Sequence, residues 1–386
     1  MQSVLADRLA GVGMTIFTEM SALALRTGSV NLGQGFPDTD GPDSVLEAAV
    51  DALRSGRNQY APGTGVPELR QAIAEHQRRW YDMSIDPDRE VLVTTGATEA
   101  LAAAFLALIN PGDEVVALEP YYDSYVAGIG MTGGQRVPVT LRAPDFRLDL
   151  AELRAAVTPR TRMLLINTPH NPTGAVLRDE ELAGIAELAC EHDLIVLTDE
   201  VYEHLTFDGV AHRPLATYPG MHERTLTISS AGKTFSVTGW KVGWACGPAE
   251  LVAAVMTAKQ FMTFTSGAPL QPAVATALAL PDEYFAEFRA TLQGKRDRLC
   301  AGLRDVGFDV FVPQGTYFVT TDVRPLGYDD GTAFCRELPE RCGVVAIPHQ
   351  VFYDDVEAGR PLVRWAFCKR DEVLDEAISR LARGLR

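Results

Sequence analysis

The chain has 386 residues, 46% hydrophobic and 22% charged, which is ordinary globular composition on a length that suggests two domains. Its formal net charge of −16 argues against a nucleic-acid-binding surface, which needs a basic patch. The six cysteines, at 190, 246, 300, 335, 342 and 368, form no CxxC pair and the seven histidines no HExxH, so no zinc site is expected.

Free thiols with mostly apolar flanks suit reducing surroundings. The opening "MQSVLADRLAGVG" lacks a basic start followed by an apolar core, so it does not read as a signal peptide. The longest strongly apolar run, Leu101 to Ile109, is too short to span a bilayer. A soluble, cytoplasmic protein without a membrane partner is expected.

From about residue 90 to 250, short apolar runs alternate with helical patterns. The predicted strands are 90–95, 114–118, 136–140, 163–167, 194–198, 225–229 and 242–246, with helices such as 98–110 and 178–192 between them. Several strands are nearly all apolar, as in strands buried on both faces, so a mainly parallel α/β sheet is expected. A long helical region follows at roughly 250–305. Beyond it, strands at 308–312, 316–320, 343–347 and 362–367 and a closing helix at about 371–384 suggest a smaller α+β domain. The boundaries read as an arm at 1–38 that joins the small domain, a large domain at 39–281 and a small one at 282–386.

In such sheets ligands bind at the carboxyl ends of strands, so the loops there are where chemistry is sought. Residues 229–244, "SSAGKTFSVTGWKVGW", hold two lysines among glycines and hydroxyls. A P-loop would need a glycine at 227, where Thr227 stands, so that reading fails. The alternative makes Lys233 a Schiff-base nucleophile, with burial lowering its pKa. Pyridoxal phosphate, an electron sink for such an amine, needs a partner for its ring nitrogen, donors to its phenolate oxygen and a phosphate cup. Asp199 at the end of one strand can pair with the ring N–H. Tyr202, three residues on, and Asn171 in "NTPHNPTG" can serve the phenolate oxygen. "TTGATEA" (94–100) is a strand, a turn at Gly96 and a helix start, where the N–H groups near Ala97 and Thr98 favour an anion. Ser230 and Lys241 can complete the cup.

Each motif alone has a plainer reading: Asp199 as a helix cap, "NPTG" as a turn, Arg364 as a structural ion pair, and Tyr121, Tyr122 and Tyr125 as core aromatics. His170 and His204 read as hydrogen-bonders beside the site rather than bases. It is the joint occurrence, in chain order and at strand ends, that points to chemistry.

With "NLGQGFPDTDGP" (31–42), "NQYAPGTGVPELR" (58–70), "EPYYDSY" (119–125) and "RWAFCKR" (364–370), the chain resembles fold-type I pyridoxal phosphate aminotransferases over nearly its whole length. Within them it is most similar to bacterial N-succinyldiaminopimelate aminotransferases and to kynurenine/glutamine transaminases. The resemblance implies a seven-stranded large domain, a homodimer with shared active sites, and ping-pong transfer of an amino group between an amino acid and a 2-oxo acid. It implies that Lys233 binds the cofactor as an imine and then shuttles a proton between Cα and C4′. Asp199, Asn171 and Tyr202 would hold the ring, and Tyr122 would stack on it. Gly96, Ala97, Thr98, Ser230 and Lys241 would bind the phosphate, with Tyr60 reaching over from the second subunit. Arg364 would grip the substrate carboxylate by a two-pronged pair, helped by Asn171 and the backbone of Gly35. Phe17 would border the substrate pocket. N-succinyl-LL-2,6-diaminopimelate with glutamate as donor is the implied substrate pair. Kynurenine-, glutamine- or methionine-type transamination, or a carbon–sulfur β-lyase on the same residues, is the alternative.

Overall fold

The computed structural model describes residues 4, 6–9, 13 and 15–385. The amino-terminal stretch read above as lacking a signal therefore falls largely outside the described residues. The strands in chain order are β1 (Val30–Asn31), β2 (Val91–Thr94), β3 (Glu114–Glu119), β4 (Gln135–Thr140), β5 (Thr161–Asn167), β6 (Ile195–Asp199), β7 (Thr225–Ser230), β8 (Gly243–Cys246), β9 (Asp309–Phe311), β10 (Phe318–Asp322), β11 (Val344–Val345), β12 (Ile347–Pro348) and β13 (Leu362–Ala366).

Seven of them form the main sheet, in the order β2-β8-β7-β6-β5-β3-β4. All run parallel except β8, which is antiparallel to both β2 and β7. Strands β3 and β6 are buried at every position, which fits their mostly apolar interiors, residues 115–118 and 195–197. Their side chains meet two cores, one on each face. Phe105, Ala117, Leu165 and Ile228 belong to one, and Val116, Leu164, Val196 and Ile185 to the other. Parallel direction brings the carboxyl ends of β2, β5, β6 and β7 to one edge.

A four-stranded antiparallel sheet, β12-β13-β10-β9, makes the smaller layer. The helix Asp371–Gly384 packs on it through buried Leu374, Ala377 and Leu381, and each leucine contributes about 1.5–3 kcal/mol. The amino-terminal helix Ile16–Thr27 shares this core through Met20 and Leu23, and β1 pairs in parallel with β11. Helix Asp282–Val306 links the layers: Phe285 lies in the core beneath β2 and β8, while Leu292 and Leu299 lie in the core of the smaller sheet.

Three sequence expectations change. The helical region at 250–305 is three helices, Ala249–Lys259, Gln271–Leu278 and Asp282–Val306, because the Ser-Gly-Ala-Pro run at 266–269 and Pro281 interrupt it. The strand expected at 343–347 splits into β11 and β12, which serve different sheets. Helices Ile16–Thr27 and Gly331–Cys342 were not foreseen. Among the described residues no helix is long and apolar enough to cross a membrane.

Candidate active site

Asn167 and Asp199 close β5 and β6 as register partners. Ser230 closes β7 opposite Gly243, and Thr94 closes β2 opposite the same glycine. A cavity of about 350 Å³ opens at these ends. Thirteen of the fourteen candidate residues line it: Phe17, Gly35, Gly96, Ala97, Thr98, Tyr122, Asn171, Asp199, Tyr202, Ser230, Lys233, Lys241 and Arg364. The fourteenth, Tyr60, is 85% exposed and does not line the cavity of its own chain.

Lys233 sits in the one-turn helix Ala231–Thr234 that follows β7. Its Nζ donates to the Gly35 carbonyl at 3.3 Å and stands 5.7 Å and 5.5 Å from the ring centres of Tyr202 and Tyr317. Burial pulls its ammonium down to about 8, against the opposing pull of Cys368 and Asp199. The amine is therefore far easier to deprotonate than a solvated lysine.

Asp199 is buried beneath the cavity. Its Oδ2 accepts from the Tyr125 hydroxyl at 2.7 Å and its Oδ1 from the Val201 N–H at 3.3 Å. Burial raises its pKa, and these two hydrogen bonds work against that rise. Asn167 ties the neighbouring turn in place: its Nδ2 donates to the Asp199 carbonyl and its Oδ1 accepts the Asn171 N–H, both at 2.8 Å. Tyr202 stands edge-on to Tyr317 with centres 5.2 Å apart. Burial holds its phenol proton well above the usual range, which makes Tyr202 a donor rather than a base. The Tyr122 ring meets Tyr125 edge-on at 5.8 Å, and burial pushes its hydroxyl up to about 12.

Helix Gly96–Leu108 begins at the cavity wall, with Gly96 at φ 70°. Its first N–H groups have no partner within the helix. Lys241, at φ 54°, turns its Nζ to the Thr98 hydroxyl at 3.3 Å. A Cβ on Gly243 would stand 2.7 Å from the Ala97 nitrogen, so glycine is required where β8 crosses this turn.

Arg364, on β13, is buried, and no carboxylate pairs with it among the described residues. One Nη donates to Asn171 Oδ1 at 2.9 Å, the other to the Gly33 carbonyl at 3.0 Å, and its Nε has no partner. The guanidinium lies 4.0 Å from the Phe318 ring centre, 5.1 Å from Phe17 and 5.3 Å from Phe352. Burial pulls its pKa down to about 10. A buried, unpaired guanidinium is costly alone and calls for an anion.

Taken together, the lining carries Lys233, Lys241 and Arg364 against Asp199 alone. In a chain of net charge −16, this cavity is a local basic site suited to anionic ligands.

His170 and His204 lie outside the lining. His170 Nδ1 bonds the Thr173 hydroxyl at 2.7 Å, and burial lowers its pKa to about 3. Burial lowers His204 to about 3 as well. His204 joins His76 and Glu203 in a buried group with ligand-like spacing, yet its Nε2 bonds His76 at 2.7 Å and Glu203 accepts from Tyr81 at 2.6 Å.

Sequence reasoning gave Asn167 and Phe318 no role and read Tyr125 only as a core aromatic. Asn167 carried a signal, as a polar residue ending an apolar strand. Nothing in the sequence tied Tyr125 to Asp199 or Phe318 to Arg364, because these partners lie far along the chain.

The profile of the family described as "Aminotransferase class I and II" matches residues 27–381. The chain is 57% identical to the probable N-succinyldiaminopimelate aminotransferase DapC of Mycobacterium tuberculosis, over 97% of each chain. It is 40% identical to the methionine aminotransferase of Escherichia coli K12, again over 97% of each. The solved structure of the Mycobacterium tuberculosis N-succinyldiaminopimelate aminotransferase superposes with a TM-score of 0.97, covering 99% of this chain and 100% of that one. With the expected strand-end residues gathered around one basic cavity, the chain belongs to the class I and II aminotransferases and is an aminotransferase.

Proposed function

We propose that the chain is a pyridoxal phosphate enzyme that moves an amino group between N-succinyl-LL-2,6-diaminopimelate and the glutamate/2-oxoglutarate pair. The observation that carries the cofactor reading is the juxtaposition of half-buried Lys233 with buried Asp199 and the Lys241-flanked helix start in one cavity. The residues fit the group's needs. Thr98, Ser230, Lys241 and the free N–H groups suit its phosphate, Asp199 its ring nitrogen, and Asn171 and Tyr202 its phenolate oxygen. When bound, the cofactor supplies an aldehyde for amines and a ring that takes up the electron pair left at Cα.

The chain's own residues do the rest. Arg364, with which no carboxylate of the described residues pairs, and Asn171 would hold the α-carboxylate. Lys233 removes the Cα proton, and its lowered pKa keeps a usable fraction as free amine near neutral pH. Tyr125 and Val201 donate to Asp199 and counter the rise that burial imposes on it, so its carboxylate would favour a protonated ring nitrogen. Phe17 and Phe318 line the cavity and set apolar rings beside the Arg364 guanidinium.

The substrate choice rests on the relative at 57% identity, with the methionine enzyme at 40% as runner-up. A panel of amino donors, followed by the cofactor's spectral change in half-reactions, tests it. Conversion of N-succinyl-LL-2,6-diaminopimelate is expected; conversion of methionine or aromatic amino acids without it would move the assignment. Pyruvate and ammonia released from cystathionine without an acceptor would instead favour the lyase.

The proposed assembly is a homodimer with shared sites, located in the cytoplasm, where six free thiols are at home. The chain divides at Pro281 into a large unit and a small one joined by the arm. Support for the dimer comes from Tyr60 and Phe261, both 85% exposed, beside Phe264. Such aromatics are expensive on a free surface. If Tyr60 serves the partner's phosphate, Tyr60→Phe weakens cofactor retention by about tenfold, one hydrogen bond to a charged group. Equilibrium dialysis of the cofactor measures it, and a fully active monomer at working concentration would contradict the assembly.

A further inference from the structure

Lys259 is the last residue of helix Ala249–Lys259 and is 1% exposed, and no carboxylate pairs with it among the described residues. An ammonium is costly to bury unless its donors are filled. Its Nζ donates to the Gly63 carbonyl at 2.6 Å and to the Phe264 carbonyl at 2.7 Å. These carbonyls belong to different loops. The first carries Tyr60, and the second carries Phe264, whose ring meets Tyr60 edge-on at 5.7 Å.

The Tyr60 loop has few other anchors. Asn58 bonds Leu53 at one end, and Thr64 and Val66 bond Val93 and Gln271 at the other. Among the described residues, the Lys259 bond is the only hydrogen bond from residues 59–63 to a residue outside that loop. The Phe264 loop is anchored in turn to the helix start at the cavity. The Thr263 hydroxyl donates to one oxygen of buried Glu99, whose other oxygen accepts the Thr95 N–H. Glu99 and Lys259 thus hold the adjacent residues Thr263 and Phe264 of one loop, which links the turn at Thr95 to the loop of Tyr60.

We propose that Lys259 is a positioning residue that sets the reach of Tyr60 toward the partner subunit's phosphate site. This rests on the shared-site reading above. Its consequence is that the two subunits' phosphate sites are mechanically joined: the turn at Thr95 and the tyrosine given to the partner hang on one buried frame.

The test is cofactor binding to the apo chain, followed by absorbance and dialysis, for Tyr60→Phe, Lys259→Met and the double variant. Lys259→Met is expected to weaken binding about tenfold, as loss of the tyrosine bond would. In the Tyr60→Phe background it should add less than about twofold, because both changes remove one contact. A merely structural lysine would give effects that multiply. Multiplying effects, or unchanged binding by Lys259→Met beside a loss in Tyr60→Phe, would overturn the proposal alone. No loss in Tyr60→Phe would overturn the shared-site reading beneath it. Should Lys259→Met fail to fold, exposed Phe264→Ala interrupts the same link from the surface and should show the same non-additivity.

Discussion

Replacing Lys233 by alanine should reduce turnover by at least about 10⁴-fold, the loss of a positioned base and nucleophile together. The fold should survive. Lys233 makes one hydrogen bond, at 3.3 Å, and removing a half-buried ammonium relieves a desolvation cost. Circular dichroism and Tm should therefore stay near those of the parent while activity disappears. Lys233→Arg separates charge from basicity. It keeps a cation in the cavity but cannot lose its proton near neutral pH, so it should be as inactive as alanine. The pH dependence has a definite sign. Only the free amine attacks an aldehyde, and burial pulls the ammonium down to about 8. The rate of cofactor capture by the apo chain should thus rise with pH to a midpoint near 8, leaving roughly a tenth of the amine free at pH 7. A midpoint above 10 would place the amine in a solvated setting. Multiple turnovers by Lys233→Ala would remove it from the reaction.

The strand-end cluster was legible because Asn167, Asp199 and Ser230 sit where a mostly apolar run stops. Asp199 follows four buried apolar and hydroxyl positions, and Lys233 follows β7, so type and place coincide. The parallel sheet was legible for the same reason. The direction of β8 was not, since "VGWAC" reads alike in either sense. Helix Ile16–Thr27 had usable signals in Thr15 as N-cap and left-handed Gly28 as its stop, and helix Gly331–Cys342 in Asp330 and Gly343. Lys259 looked like any basic residue in a last helical turn, because its burial is made by two loops that meet only in space. Tyr125 is hidden likewise: its partner Asp199 is 74 residues away, a distance that no spacing rule covers.

Arg364→Ala should raise KM for amino acids far more than it lowers kcat. A guanidinium that grips the carboxylate in ground and transition states alike supplies uniform binding. Removing one member of a buried, hydrogen-bonded charge pair costs about 2–5 kcal/mol, roughly 30- to several-thousand-fold in affinity. The substitution also leaves Asn171 Oδ1 and the Gly33 carbonyl without their donor and strips a cation from between Phe318 and Phe352. Some loss could therefore be scaffold rather than recognition, and a second substrate separates the two. A primary amine with the same side chain but no carboxylate cannot use Arg364, so its kcat/KM should be nearly equal in parent and variant. Arg364→Lys should fall between, because one ammonium cannot span the Asn171 and Gly33 oxygens while presenting two parallel donors. If amino acid and amine lose equal ground, Arg364 braces the cavity wall. If only the amino acid does, the unpaired guanidinium is the carboxylate's seat, and the aromatic rings around it keep that charge dry enough to bind strongly.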